Sequence, residues 1–121
     1  MKHTISWFEI PATDMERAVQ FYNTVFDIEL IRQDFDGVPH GIFQSSASGF
    51  ISGAVVLDTD NQPSTTGSRL YLNADGELDT VLGRVEAAGG KVLLPNTDIG
   101  VGLIGIMTDT EGNRVGLFSK K

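Results

Sequence analysis

A strand, a helix and three further strands can be read twice along this chain, and that repetition constrains the fold more than any single motif. In the first pass the apolar and aromatic residues from Ile5 to Ile10 suit a strand, and Pro11 ends it because proline has no amide to donate to a ladder. Thr13 with Glu16 fits a capping box, and Asp14 is a rival cap. Met15, Ala18, Val19, Tyr22, Val25 and Phe26 then recur at three- and four-residue spacings, so one stripe of a helix can pack on a sheet while Glu16, Arg17, Gln20 and Asn23 face water. Strands are expected at 28–35, 39–44 and 51–57, the first two joined by the hairpin signal Asp36-Gly37.

The polar segment DTDNQPSTTGS, residues 58–68, reads as a connection, after which the order restarts. RLYLNA precedes a helix beginning in Asp75 to Asp79, with the stripe Leu78, Val81, Leu82 and Val85, and Gly89-Gly90 supplies its stop. Strands are expected at 91–95, 102–108 and 113–118, with a turn at Thr110-Glu111-Gly112-Asn113 between the last two. The 121 residues suit one domain of two modules, approximately 1–60 and 61–121. Neither module is large enough to be comfortable alone, so the two share a core or each finds a partner in another chain.

Nine Lys and Arg against sixteen Asp and Glu give a formal charge of -7, which argues against nucleic acid because a polyanion needs basic patches to displace its counterions. The chain has no cysteine, hence no disulfide, thiolate nucleophile or thiolate metal site. The start, MKHTISWFEIP, does not read as a signal peptide, and no apolar run approaches the length of a membrane span. A cytoplasmic protein without membrane contact is the expectation.

Taken together, WFEIPATDMERAVQFYNTVFDIEL, AAGGKVLLP and DTEGNRVGLF resemble the vicinal oxygen chelate superfamily, which includes glyoxalase I, extradiol dioxygenases, fosfomycin-modifying enzymes and bleomycin-binding resistance proteins. The resemblance implies an α+β fold in which two βαβββ modules form a curved, half-open mixed sheet around a pocket. It also implies metal ligands at particular strand positions. Trp7 stands where a His commonly begins that set, Arg69 at the comparable His or Glu position of the second module, and Gly116 at the terminal Glu, while the middle strand offers Gly53 and Ala54. Tryptophan, glycine and alanine side chains provide no useful donors, and arginine brings a competing positive charge, so no metal and no other cofactor is expected.

Strand parity and the resemblance together put Trp7, Glu9, Arg69, Tyr71, Asn73, Arg114, Gly116 and Phe118 on the concave face, with His40 at its rim. Aromatic faces with guanidiniums suit a small organic molecule having a planar part and a carboxylate or phosphate. The bland reading gives Trp7 and Tyr71 a packing role at a subunit interface and makes Glu9 the partner of Arg69 or Arg114 in an internal charge network. His3 is expected to be exposed. The functional expectation is metal-independent binding or sequestration of an aromatic, anionic small molecule. Its alternative is a glyoxalase-like lyase, isomerase or dioxygenase with a non-standard metal or substrate site. Sheet edges and an aromatic face that a second copy could cover also make a homodimer the expected assembly.

Overall fold

The computed structural model describes residues 4–45 and 51–121; His3 lies outside them. Its first part runs β1 (Trp7–Pro11), α1 (Met15–Phe26), β2 (Ile31–Phe35), β3 (Val38–Ile42) and β4 (Ser52–Val56). Its second runs β5 (Tyr71–Asn73), α2 (Leu78–Val85), β6 (Lys91–Asp98), β7 (Leu103–Thr108) and β8 (Arg114–Ser119). The strands form two mixed sheets of four, ordered β1-β4-β3-β2 and β5-β8-β7-β6. In each, the first strand pairs parallel with the last of its group and the remaining pairs are antiparallel. This is the βαβββ pattern twice, as the sequence implies.

Helix α1 starts at Asp14, whose carboxylate accepts the Arg17 amide at 3.1 Å. The rival cap therefore takes the position, and Glu16 lies out in solvent against Arg32 at 3.4 Å. The backbone amides of Thr13 and Asp14 are satisfied instead by Glu111 of the second half, at 2.8 and 2.9 Å. Asp36 and Gly37 both have positive φ, 51° and 79°, which fits a tight hairpin whose twist matches that of the flanking strands. Strand β2 begins at Ile31, later than the apolar run suggested, because Asp27 closes α1 in the left-handed region and the Asn23 side chain takes the Leu30 amide at 2.8 Å. Strand β6 continues to Asp98, past the expected end, through register shifts around Leu94.

One apolar core joins the halves. Tyr22, Phe21, Val25 and Ala18 of α1, Val81 and Val85 of α2, Val55 of β4, and Met107 and Leu117 of β7 and β8 belong to the same buried cluster. A Cβ at Gly90 would collide with the Phe21 ring and the Thr108 carbonyl, so this glycine is needed where α1 of one half crosses the chain of the other. Of the two packings that the sequence leaves open, the halves share a core within this chain. The helices pack against one face of each sheet and against each other within this core.

Candidate functional site

Ladder register fixes which residues share each outer face. In the first sheet Phe8 and Ile10 point to the helices, where Phe8 meets Phe43 with ring centroids 5.7 Å apart. Trp7 and Glu9 therefore share the outer face, since side chains alternate along a strand. Pairing across β4 and β3 brings Ala54, Val56, Ile42 and His40 to that face, and β2 adds Gln33 and Phe35. His40 is 8% exposed, enclosed rather than at an open rim. Its Nδ1 is 2.9 Å from the Val38 carbonyl oxygen, its Nε2 is 3.8 Å from Glu9 Oε2, and the Phe35 ring meets it edge-on at 4.8 Å. The Trp7 indole N–H donates to the same Glu9 oxygen at 3.4 Å.

In the second sheet Val115 and Leu117 enter the core, leaving Arg114, Gly116 and Phe118 on the outer face with Tyr71 and Asn73. Arg69 precedes β5 and is exposed. Asn73 uses its side-chain oxygen to accept the Asp75 amide at 2.9 Å, which shapes the turn into α2.

A cavity of about 420 Å³ lies where the two halves meet, and Trp7 and Glu9 of β1, Arg114 of β8 and the connecting segment line it. That segment contributes Asn61, Gln62, Ser64, Thr66 and Ser68. The sequence presents these residues only as a connection; their density of amides and hydroxyls is the signal that could have marked a wall. His40, Arg69, Tyr71, Asn73 and Phe118 do not line this cavity. Asn73 borders a second hollow of about 690 Å³ with Phe26, Phe43 and Arg84, which Trp7, Glu9 and Arg114 do not line.

The seam beside the cavity is held by acids that pattern reading left as a turn. Asp109 accepts the Tyr22 hydroxyl at 2.7 Å, the Asn113 side-chain amide at 2.9 Å, and the backbone amides of Glu111 and Asn113 at 2.9 Å each. Asn113 donates also to the Pro11 carbonyl at 2.7 Å. Burial, with the neighbouring Asp109 charge, pushes the Tyr22 hydroxyl well above its ordinary pKa and keeps it a neutral donor. At Glu111, burial favours the neutral acid, but the Arg17 guanidinium at 2.7 Å and the Thr13 and Asp14 amides outweigh it and hold the carboxyl at about 2. These groups are mutually satisfied, and among the described residues no buried side-chain nitrogen or oxygen lacks a partner.

The positions where the superfamily resemblance would put metal ligands do not fit a metal. The Tyr71 ring lies over Gly116, and even a Cβ there would collide with it. Gly53 faces the Phe8 ring rather than the outer surface. Among the described residues no group of three or more His, Asp or Glu side chains converges as a metal site. A second copy of the chain would bring the same Trp, Arg and Gly residues to these positions.

A family model described as the Glyoxalase/Bleomycin resistance protein/Dioxygenase superfamily matches residues 4–117. A glyoxylase-like domain-containing protein of Didymella fabae is 34% identical over 114 residues, covering 90% of this chain and 88% of its own. CFP32 of Mycobacterium bovis, named for a glyoxylase, is 29% identical over 121 residues. That match covers 95% of this chain but 45% of CFP32, so the chain spans about half the length of that relative. Among solved structures, a glyoxalase/bleomycin resistance protein from Albidiferax ferrireducens T118 superposes with a TM-score of 0.73 at 18% identity, covering 96% of this chain and 98% of the other. At that identity the likeness speaks for the fold.

Proposed function

Because this chain belongs to the Glyoxalase/Bleomycin resistance protein/Dioxygenase superfamily, we propose that it captures a small organic molecule carrying an aromatic ring and an anionic group, without the family's usual metal ligands. The observation that carries this reading is that Trp7, Glu9 and Arg114 line one cavity of about 420 Å³. That volume lies within the ~300–1,000 Å³ range of small-molecule pockets. The Trp7 ring offers a stacking surface, and the Arg114 guanidinium can give two parallel hydrogen bonds to a carboxylate or phosphate. Glu9, held by the Trp7 indole, orients a donor on the ligand. Asn61 and Ser68 add neutral polar contacts on the opposite wall.

Calorimetric titration with aryl carboxylates, aryl phosphates and their uncharged amides tests the assignment. Arg114→Ala should weaken the anions at least about tenfold, an effect of about 1.4 kcal/mol, and leave the amides nearly unchanged. Trp7→Ala should weaken both series. Equal affinity for anions and amides, or unchanged binding in both folded variants, would remove this cavity as the site. Tyr71, Asn73 and Phe118 belong to the outer face of the second sheet and Arg69 just precedes β5; we assign this surface to a homodimer contact or to a site that a second copy completes.

A further inference from the structure

The wall that the connecting segment gives the cavity is held far less firmly than the strands it faces. Residues 58–69 run between β4 and β5, and within 59–69 Pro63 is the one residue that is not exposed. Their hydrogen bonds are mostly their own. The Asn61 amide donates to the Asp58 carbonyl at 3.1 Å and the Gln62 side chain to the Thr59 carbonyl at 2.9 Å, closing one turn. The Ser64 hydroxyl donates to the Thr66 carbonyl at 2.7 Å and accepts the Thr66 amide at 3.1 Å, closing a second. Among the described residues only Ser64 of this segment bonds to the rest of the chain. Its amide donates to Asn113 Oδ1 at 3.3 Å, and its carbonyl accepts the Arg114 amide at 3.4 Å. Both are long for N–H···O bonds, which cluster at about 2.9–3.0 Å.

The anchor beneath them is firm. Asn113 is 6% exposed and donates to the Pro11 carbonyl at 2.7 Å and to Asp109 at 2.9 Å, so it joins β1 to β8 whether or not Ser64 is attached. We propose that residues 58–69 form a strap over the cavity, latched at Ser64, and that a ligand enters and leaves when this latch opens; the proposal rests on the cavity being the binding site. Two weak bonds and little buried surface let such a segment open at small cost, without disturbing the ladders of β1 and β8. Gly67, at φ 90° with open space at its Cβ position, supplies a joint between the latch and β5. Arg114 belongs to both parts: its amide is in the latch, and the residue lines the cavity.

Hydrogen exchange in the ligand-free protein tests the latch by itself. The Arg114 amide should exchange with D2O at least about tenfold faster than the Gly116 amide, which the Leu70 carbonyl holds at 2.7 Å on the same side of the same strand. Equal protection of the two amides would show that the segment moves with β8 and would overturn the strap. Trp7, the one tryptophan of the chain, reports ligand entry through stopped-flow quenching by 4-nitrobenzoate. Ser64→Pro removes the amide hydrogen from the latch and should raise the rates of binding and release together, each about fivefold, the size expected for loss of one weak hydrogen bond. Kd should stay nearly constant. A rise in the release rate alone would make Ser64 a ligand contact, and unchanged rates in the folded variant would make the latch irrelevant to entry; either result overturns the proposal. A parent protein that shows the fast exchange at Arg114 but binds no 4-nitrobenzoate would overturn the capture reading, and the strap as its gate, for aryl carboxylates.

Discussion

Glu111 shows how much one side chain can do at a seam. It is fully enclosed, while its partner Arg17 is half exposed, and it ties the start of α1 to the turn before β8. Its carboxyl, held at about 2 against an ordinary 4.5, binds a proton less readily in the folded chain than in the unfolded one. The stabilisation is therefore complete above about 4.5 and is lost as pH falls towards 2. The full shift would correspond to about 3 kcal/mol, and solvent screening around Arg17 reduces this to about 2. Urea unfolding of Glu111→Gln should show about that loss at pH 7 and a shallower decline between pH 4.5 and 2 than the parent; parallel pH curves would contradict the assignment. None of this was legible beforehand, because EGN announces a turn whatever its glutamate touches, and Thr13 and Asp14 lie nearly a hundred residues away. Trp7, Glu9 and Arg114 were easier, since strand parity and the superfamily resemblance together put them on a common type of face. Gly116 carries a separate prediction: Gly116→Val should cost about 1–3 kcal/mol through the Tyr71 ring, and most of that cost should vanish in a Tyr71→Ala background when both are compared by denaturant midpoint.

At the scale of elements, periodicity served where one side of a segment is buried and failed where local polar contacts set the boundary. The stripes of α1 and α2 pack as the three- and four-residue spacings require, with Tyr22, Val25, Leu78 and Val85 all buried. The start of α1 was ambiguous because Thr13-x-x-Glu16 and Asp14 are both respectable caps, and nothing local reveals that Glu111 already serves the Thr13 amide that Glu16 would have reached. Asp14→Ala should accordingly cost about 1 kcal/mol, while Glu16→Ala should stay within about 0.5 kcal/mol, since its contact to Arg32 is an exposed 3.4 Å pair. Thermal or denaturant unfolding of the two variants separates the assignments, and a larger loss at Glu16 would restore the capping box. The connection before β5 was legible as a loop but not as a cavity wall. Asn61, Ser64 and Ser68 show no period, and their role depends on where the two halves bring β1 and β8 together.

At the scale of the whole molecule, the described residues cover the outer sheet faces only in part: Ala54, Val56 and His40 are buried there, whereas aromatic residues around them are not. Arg84 of α2 donates to the Val25 carbonyl at 3.2 Å, and Tyr22 reaches Asp109, so the shared core consumes the inner faces. Trp7, Phe35 and Tyr71 remain 43–45% exposed on the strands that face outward. Aromatic surface of that kind is more economical when covered, and a twofold axis lets a first-sheet face of one copy meet a second-sheet face of the other while the reverse contact forms at the same time. Such a dimer would bring Arg69, Tyr71 and Phe118 of one copy towards Trp7, Glu9 and His40 of the other, the grouping that one chain does not make by itself. Sedimentation equilibrium over a broad concentration range should give twice the 13.1 kDa of one chain. Phe35→Glu, which puts a charge on the exposed face, should shift the mass to one chain without loss of the circular dichroism of the fold. It should also weaken binding of an aryl carboxylate if the partner copy completes the site, whereas Arg114→Ala should weaken binding without changing the mass. A parent protein that stays at one chain mass throughout the series would reject the dimer and confine the candidate site to the cavity between β1, β8 and their connection.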